Sequence, residues 1–315
     1  MTWEEELEEF RTYLRLERGL TGNSVKAYCN DIMKLVDFLS TSGETVPPDA
    51  VTAEQFRGFM AWLGQNSISP RTQARIMSGV RSFYKSLIVA EKIEADPTEA
   101  VQTPKVGRKL PEVLSVEEID AMEEAFDLGR PEGVRNLAMV ETLYSCGLRV
   151  SELTDLRVSC LHLDKGYVRV EGKGRKERLI PIGQKAIKCI TDYMDNFRQE
   201  GNIAPGHEDF LFISRLGKKL SRIMVFNIIK EAAAAAGITK TISPHTLRHS
   251  FATHLVDGGA NLRAVQEMLG HESIMTTEIY THLDNSYLLS TLVEHHPYRE
   301  VQETVTPSGA EAEGA

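Results

Sequence analysis

Two helices followed by a polar segment are predicted in residues 243–282, which have the sequence SPHTLRHSFATHLVDGGANLRAVQEMLGHESIMTTEIYTH. Ser243 is a favourable N-cap, and Pro244 suits the first helical position because that position needs no backbone N–H. The apolar side chains that follow at helical spacing are Leu247, Phe251, Leu255 and Val256. A second helix is predicted between Asn261, its N-cap, and Gly270.

Side chains suited to phosphate chemistry recur along this stretch. His245 and Arg248 lie three residues apart in the first predicted turn, so they share a face near the positive end of the helix dipole. His271 directly follows the second helix, and Tyr280 comes nine residues later. A phosphodiester under attack needs cationic donors, a group that moves protons and a nucleophile. The stretch supplies all three.

An arginine outside this stretch has a related setting. Arg149 lies in GLRVSEL, residues 147–153. Taken alone, Arg149 is either a surface or salt-bridged arginine or a bidentate phosphate ligand. Glu152 follows three residues later, where it either stabilises the start of a helix or braces active-site groups from behind.

A β-hairpin is predicted between residues 167 and 182. Residues 167–170 alternate like a strand, residues 178–182 form the return strand, and the intervening EGKGRK has the glycines of a tight turn. This is not a P-loop, because no GxxxxGK precedes a helix. The cations of the turn are Lys173, Arg175 and Lys176.

Together these elements resemble the tyrosine recombinase, or phage integrase, family. H-x-x-R at His245 and Arg248, L-G-H at His271 and a tyrosine nine residues further on are similar to the family's C-terminal active-site box. G-L-R-x-S-E-L is similar to its first arginine box. The sequence LGHESIMTTEIYTH most resembles the XerC/XerD branch. The ending HHP at residues 295–297 is more like XerD, although Tyr298 stands where the family usually has a basic residue.

The resemblance implies a division of roles. Tyr280 is the nucleophile that forms a 3′-phosphotyrosyl link, and His245 handles its proton. The residues that match the family's phosphate ligands are Arg149, Arg248 and His271, with Glu152 in support. The family's mobile general-acid lysine lies in the hairpin and matches Lys173, while Arg175 and Lys176 are alternatives by chemistry and expected DNA contacts. No metal or other cofactor is implied.

Four helices are predicted in the N-terminal part, with capping patterns at Thr2, Thr52 and Ser69. In the fourth helix, the side opposite the apolar arc carries the basic residues Arg71, Arg75, Arg81 and Lys85. Such a stripe is a solvated face or, beside a phosphate-handling domain, a DNA-facing one. The family's small helical core-binding domain favours the DNA-facing interpretation.

We therefore predict a mainly α protein with a small β-sheet in its C-terminal domain, in the two-domain architecture of tyrosine recombinases. A helical, SAM-like core-binding domain is expected at residues 1–103 and a mixed α/β catalytic domain at residues 112–298. Residues 104–111 have the prolines and bases of a linker, and residues 299–315 the composition of an acidic disordered tail.

Composition is compatible with this prediction. The net charge of −9 argues only weakly against a nucleic-acid partner, because local basic patches, rather than the total charge, bind phosphates. One such patch is residues 71–109, with eight Lys/Arg and four Asp/Glu. The four scattered cysteines, Cys29, Cys146, Cys160 and Cys189, are expected to be core thiols. We find neither a signal-peptide pattern nor a membrane-length apolar run, so a cytoplasmic protein is predicted.

Other functions fit part of the pattern. A metal-dependent hydrolase would use His245 and His249, but Thr246 stands where the zinc motif has Glu and no third ligand is evident. A non-catalytic DNA-binding protein leaves six chemically competent residues unexplained. A related topoisomerase shares the chemistry, and an integrase or invertase of a phage or mobile element is the closest alternative among recombinases.

The resemblance also implies partners. These are duplex DNA with a short, near-palindromic recombination site, a XerC-like recombinase in a heterotetramer or a self-tetramer on DNA, and a DNA translocase of the FtsK type. A short amphipathic helix is predicted after Tyr280. Members of the family pass such a helix to a neighbouring subunit; the alternative is a helix folded back on its own domain.

Overall fold

The computed structural model describes residues 1–41, 46–104, 107, 112–172, 177–198, 202–270 and 285–298. The chain divides into two compact units, Met1–Lys109 and Leu110–Ala315. Each unit has its own buried cluster of apolar side chains. The described residues are mainly helical with one small sheet, which confirms the predicted fold class.

The N-terminal unit contains the helices α1 Trp3–Leu16, α2 Gly22–Ser40, α3 Ala53–Gln65 and α4 Pro70–Val89. Each begins at a hydroxyl side chain that accepts a hydrogen bond from a backbone N–H three residues later. These N-caps are Thr2, Thr21, Thr52 and Ser69. The caps satisfy backbone donors that a helix start leaves free, so they explain where the helices begin.

Aromatic side chains form the centre of this unit. The rings of Phe10 and Phe83 meet at 5.3 Å and 87°, and those of Phe56 and Tyr84 at 5.3 Å and 88°. Edge-to-face contacts of this kind add to the energy of burial. The Tyr84 hydroxyl donates to the Pro48 carbonyl at 2.9 Å, so the buried phenol is satisfied. The apolar side of α4 is thereby held inward.

The C-terminal unit is built around α6, Pro131–Ser145, which packs against α8 and α10. Val140, Leu143 and Tyr144 of α6 are fully buried. The other helices of this unit are α5 Val116–Glu124, α7 Val150–Thr154, α8 Gln184–Tyr193, α9 Arg222–Ala235, α10 Pro244–Asp257, α11 Leu262–Leu269 and α12 Asn285–His295. Helix α12 contacts α10 and α11, so it packs against the C-terminal unit to which it belongs.

Three antiparallel strands, β1 Leu161–His162, β2 Tyr167–Glu171 and β3 Glu177–Pro181, form a sheet in that order. Val168 lies opposite Ile180, and Val170 opposite Arg178. Val168, Val170 and Ile180 are buried. Because directly opposed residues project from the same face of a sheet, Arg178 lies on the core-facing side. The predicted hairpin strands are confirmed.

A local prediction was wrong: Val256 is exposed and does not belong to the buried stripe of α10. Helix α6 begins at Pro131, because proline is well suited to a first helical turn. Two isolated β-bridges, Arg157 with Phe210 and Ile213 with Lys219, lie outside the named strands. In the described ranges, no helix has the length and apolar character needed to cross a membrane.

Candidate active site

Helix α10 brings two of the predicted site residues to its first turn. Ser243 caps the helix: its hydroxyl accepts from the Thr246 backbone N–H, and its own N–H donates to the Thr246 hydroxyl at 3.2 Å. His245 is exposed, whereas Arg248, one turn further in, is buried. The sequence pattern alone predicted the capped turn and the shared face.

Backbone carbonyls at the ends of two helices hold the Arg248 guanidinium. One Nη donates to the Gly147 carbonyl at 2.6 Å, and the other donates to the Leu269 carbonyl. Gly147 has φ +56°, and a Cβ there would lie 2.4 Å from Cδ1 of Phe251. Only glycine fits that turn, and the turn aims its carbonyl at Arg248. Arg248 therefore joins α10 to the ends of α6 and α11.

Arg149 lies at the N-terminus of α7 and is bound to Glu152. Its backbone N–H donates to Oε2 of Glu152 at 2.8 Å, and its Nη1 donates to Oε1 at 2.8 Å. Its Nη2 donates to the Gly270 carbonyl at 3.0 Å. About a third of the side chain stays accessible, at 34%. Arg149 is thus oriented from behind while one side remains open.

Arg178 of β3 is a member of this cluster that the sequence reasoning missed. Its two Nη atoms donate to the two Glu152 oxygens at 2.8 and 3.0 Å. Arg248 Nη1 lies 3.9 Å from Oε2 of the same carboxylate. We call Arg149, Glu152, Arg178 and Arg248 the Glu152 cluster. The signal that could have revealed Arg178 is a cationic side chain at a core-facing position of a strand.

The charges of the Glu152 cluster do not cancel. Burial raises the pKa of Glu152, but hydrogen bonds from Arg178 and Arg149 outweigh it and bring that pKa below its ordinary value. Burial and then the charge of Arg149 lower the pKa of Arg248 to about 10, which still leaves it protonated at neutral pH. Three guanidinium groups and one carboxylate give a net positive centre that favours an anion.

A cleft of about 650 Å³ opens beside this centre. Arg149 and Glu152 contribute to one wall, and Gly172 and Glu177, which flank the hairpin turn, contribute to another. The remaining residues that line it include Arg157, Arg169, Phe210 and Lys219. The accessible side of Arg149 therefore faces a cavity large enough for a phosphodiester segment rather than flat surface.

Five predicted residues, Lys173, Arg175, Lys176, His271 and Tyr280, lie outside the described residues. The described residues next to Lys173, Lys176 and His271 in the chain lie at the cleft or contact the Glu152 cluster. Gly172 and Glu177 line the cleft, and Gly270, which directly precedes His271, accepts the hydrogen bond from Arg149. Helix α12 begins at Asn285, shortly after Tyr280.

The predicted basic stripe of α4 has varied surroundings. Arg71 and Lys85 are exposed. Arg75 is 52% exposed, yet its two Nη atoms donate to the buried Asp31 carboxylate at 2.6 and 2.7 Å. Arg81 is half-buried and donates to the Val101 carbonyl. Only part of the stripe therefore presents cations that are unengaged by neighbouring acceptors.

The alternative metal site at His245 and His249 receives no third ligand from the described part of the chain. There, no group of three or more His, Cys, Asp or Glu side chains converges as a metal would require. His245 is exposed and His249 half-buried, one turn apart on α10.

Comparison with known proteins shows the family of this chain. The phage integrase family profile matches residues 112–286, and the profile of the phage integrase N-terminal SAM-like domain matches residues 7–91. The chain belongs to the phage integrase family. It is a tyrosine recombinase most like XerD, and so a site-specific DNA strand-exchange enzyme.

Relatives of this recombinase match over nearly their whole length. It is 43% identical to tyrosine recombinase XerD of Chlorobaculum tepidum over 298 residues, covering 94% of this chain and 97% of the relative. It is 40% identical to XerD of Listeria monocytogenes over 291 residues, covering 92% of this chain and 98% of the relative.

Solved structures share the fold of this recombinase. A crystal structure of a lambda integrase (75–356) dimer bound to a COC′ core site matches with a TM-score of 0.65 and 18% identity, covering 90% of this chain and 100% of that one. XerH recombinase bound to difH substrate, in a pre-cleavage complex, matches with a TM-score of 0.63 and 22% identity, over 90% and 82% of the two chains.

Proposed function

We propose that this recombinase cuts and rejoins DNA through a 3′-phosphotyrosyl intermediate at Tyr280, and that it resolves chromosome dimers at cell division. The observation that carries the chemical part is the Glu152 cluster, in which one buried carboxylate orients Arg149 toward an open cleft. Such prearranged donors stabilise the charge that develops on a phosphoryl group in the transition state.

In the proposed cleavage step, the Tyr280 oxygen forms a bond to phosphorus, and the bond from phosphorus to the 5′ oxygen breaks. His245 takes the phenol proton, and Lys173 gives a proton to the leaving 5′ oxygen. Arg149, Arg248 and His271 donate to the non-bridging oxygens. Rejoining is the reverse attack by a 5′-hydroxyl. Because a phosphoester bond is exchanged for another, the reaction needs no ATP.

The state of Arg248 supports its part in this scheme. Burial lowers its pKa to about 10, so its charge persists at neutral pH, and two carbonyls prevent the guanidinium from turning away. Donors that do not reorganise during the reaction give the largest electrostatic stabilisation. We propose that Arg149 contacts the phosphate first, because one side of its guanidinium is accessible from the cleft.

The biological role rests on the relatives. The curated relatives are named XerD, XerH was solved on difH substrate, and lambda integrase was solved as a tetramer on a Holliday junction. By extension we propose that this recombinase acts in the cytoplasm, on duplex DNA with a near-palindromic site, in a tetramer with a XerC-like partner or with itself. We propose a translocase of the FtsK type as its activator.

The N-terminal helix α4 is proposed to contribute phosphate contacts. Its accessible cations without a described acceptor are Arg71 and Lys85, so Arg71→Gln and Lys85→Gln should each lower the salt dependence of DNA binding by about one unit of slope. Arg11→Gln is a suitable control, because Arg11 is exposed on α1 and paired with Glu8. Unchanged slopes in both α4 variants would count against this DNA contact.

Covalent trapping tests the proposed chemistry. The recombinase is incubated with a labelled, nicked duplex that carries a candidate recombination site, with and without a partner recombinase, and a denaturation-resistant adduct is sought. The adduct should disappear in Tyr280→Phe and persist in Tyr287→Phe, which changes an exposed tyrosine of α12. An adduct that survives in Tyr280→Phe would contradict the assignment of the nucleophile.

A second experiment isolates the general acid. Lys173→Ala should abolish cleavage of ordinary DNA but spare a substrate whose 5′ bridging oxygen is replaced by sulfur, because a thiolate leaves without protonation. Lys176→Ala serves as the comparison within the same turn. Equal losses on both substrates in Lys173→Ala would contradict its role as general acid.

A further inference from the structure

We infer that Arg178 is a positioning residue for strand cleavage, acting through Glu152 on Arg149 and on the turn that precedes His271. This inference rests on the proposed function, because it assigns a part in the same phosphoryl-transfer step. Arg178 is not among the residues that the family resemblance marked as catalytic. Its part follows from its contacts.

The first contact is with Glu152. Arg178 donates to both carboxylate oxygens, and the same two oxygens accept from the backbone N–H and Nη1 of Arg149. Glu152 is 4% exposed, so these donors replace water around its charge. Without Arg178, the carboxylate retains, among the described residues, its hydrogen bonds from Arg149 and the ion pair with Arg248 at 3.9 Å. Its orientation, and with it that of Arg149, is then less restricted.

The second contact is with the end of α11. Arg178 Nε donates to the Met268 carbonyl at 3.4 Å, and a Cβ on Gly270 would lie 3.0 Å from the same nitrogen. Gly270 has φ +63° and its carbonyl accepts from Arg149. The guanidinium of Arg178 therefore packs against the turn from which the chain continues to His271 and Tyr280.

The third link is through the strand itself. Arg178 is the second residue of β3, directly after Glu177, at which the hairpin turn with Lys173 rejoins the sheet. A single side chain thus ties the hairpin strand to α7 and to the end of α11. These are the three segments that carry or flank Lys173, Arg149 and His271.

Arg178 is better suited to this task than to binding phosphate. Each of its three nitrogen atoms already donates to a protein acceptor, whereas the described hydrogen bonds of Arg248 engage only its two Nη atoms. The Arg178 side chain is also less exposed than that of Arg149, at 18% against 34%. A planar fork is needed for the paired bonds to Glu152, and a lysine cannot reproduce them. The residue is consequently expected to affect the rate of cleavage rather than the affinity for DNA.

The first test compares Arg178→Gln and Arg178→Lys with the wild-type enzyme on the nicked duplex. At saturating DNA, adduct formation should slow by about 100-fold in Arg178→Gln and less in Arg178→Lys, because small displacements of catalytic groups have effects of this size. The dissociation constant for DNA and its salt dependence should change little. Adduct formation at the wild-type rate in Arg178→Gln would overturn the inference.

A double-mutant comparison separates positioning from direct contact. If Arg178 acts through Glu152, then the double variant Glu152→Gln/Arg178→Gln should be no slower than Glu152→Gln alone, within about threefold. Losses that multiply, or a lower salt slope for DNA binding in Arg178→Gln, would overturn the inference and indicate an independent phosphate ligand.

Arg198→Gln is the control for general destabilisation. Arg198 is a half-buried arginine of the same unit that donates to the carbonyls of Glu208, Phe210 and Leu211. Its loss should lower the thermal midpoint but leave the adduct rate within about twofold. Equal slowing in Arg198→Gln would overturn the inference. The wild-type adduct by itself tests the proposed function, whereas the ratio of variant to wild-type rates tests the role of Arg178.

Discussion

The C-terminal unit contains two charge clusters with opposite compositions, each built around buried acidic side chains. In the Glu152 cluster, three arginines surround one carboxylate. In the second, which we call the Lys185 cluster, one ammonium lies among three carboxyl groups. Nζ of Lys185 is 2.6 Å from Glu123, 3.3 Å from Asp120 and 3.5 Å from Glu141. The first has an excess of donors, and the second an excess of acceptors.

The two clusters can relieve their excess charge in different ways. A carboxyl group can bind a proton near neutral pH, whereas a guanidinium does not readily lose one. Burial and then the neighbouring Glu141 raise the pKa of Glu123 to about 9, so Glu123 is protonated at pH 7. The guanidinium groups of the Glu152 cluster do not lose their excess charge by a change of protonation, and this charge faces the cleft. An anion is the remaining means of neutralising it.

The Lys185 cluster instead holds part of the protein itself. Nζ of Lys185 lies 3.6 Å from the centre of the Tyr298 ring, and the Tyr298 hydroxyl donates to Asp120 at 2.8 Å. The ring also packs against Tyr144 of α6. The segment after α12 is therefore fastened to α5, α6 and α8. One cluster is open to a ligand, and the other is closed by an aromatic side chain.

The largest effect is expected from Glu152→Gln. Three guanidinium groups would lose their shared counter-charge and repel one another, so the free energy of unfolding at pH 7 should fall by about 3 kcal/mol. Adduct formation should also slow by at least as much as in Arg178→Gln while remaining measurable, because Arg149 is less firmly oriented. Urea unfolding and the trapping assay measure the two effects. Wild-type stability in this variant would refute the idea that the carboxylate organises the cluster.

A smaller loss is expected from Lys185→Met. Because the raised pKa keeps Glu123 protonated at pH 7, removal of the ammonium leaves less unpaired charge than in Glu152→Gln, so the free energy of unfolding should fall by only about 2 kcal/mol. Lys188→Met, at an exposed position one turn later on α8, should change it by less than about 0.5 kcal/mol. A loss in Lys185→Met as large as that in Glu152→Gln would remove the distinction between the clusters.

The pH dependence of stability should differ in sign between the clusters. The folded-state pKa of Glu123, about 9, lies above its ordinary 4.5, so its stabilising contribution is complete below pH 4.5 and is lost as pH rises toward 9. For Glu152 the pKa is lowered, so its contribution is present above its unfolded pKa and is lost on acidification.

Glu123→Gln isolates this effect. Between pH 6 and 8, Glu123 should lower wild-type stability by up to about 1.4 kcal/mol per pH unit, and the variant should lack that component. Urea midpoints at several pH values measure the slope. Parallel pH profiles for wild type and variant would mean that Glu123 is not the protonated group.

The smallest effect is expected from Tyr298→Phe. The ring stays over Lys185, and only the hydrogen bond to Asp120 is lost, so the free energy of unfolding should fall by about 1 kcal/mol or less. Tyr298→Ala removes the ring as well and should cost more. Hydrogen exchange should show the same order: the α12 amides should lose less protection in Tyr298→Phe than in Tyr298→Ala. Equal effects of the two substitutions would assign the whole contribution to the hydroxyl.

Local features of this protein were predictable from sequence because they depend on neighbours a few residues apart. Ser243, Asn261 and Gly270 bound their helices as predicted, since caps and left-handed turns are properties of a short segment. Arg149 and Glu152 are three residues apart, so their contact is also local. The hairpin strands followed from alternation and glycines.

Long-range contacts were not predictable in this way. Arg178 had the pattern of a strand residue, and only the fold brings it to Glu152 and the end of α11. Arg75 had the spacing of an exposed cation, yet it binds Asp31 of another helix. The Lys185 cluster joins α5, α6, α8 and the segment after α12, which are far apart in the chain.

The sequence by itself determined the family, the helices that hold the proposed site residues and the types of side chain available there, because motifs and helix caps depend on short segments of the chain. The tertiary structure alone decided which charges share a partner and which stay available to a ligand. The reason is physical: the energy of a charge depends on burial and on neighbours within a few ångströms, and those neighbours come from distant parts of the chain.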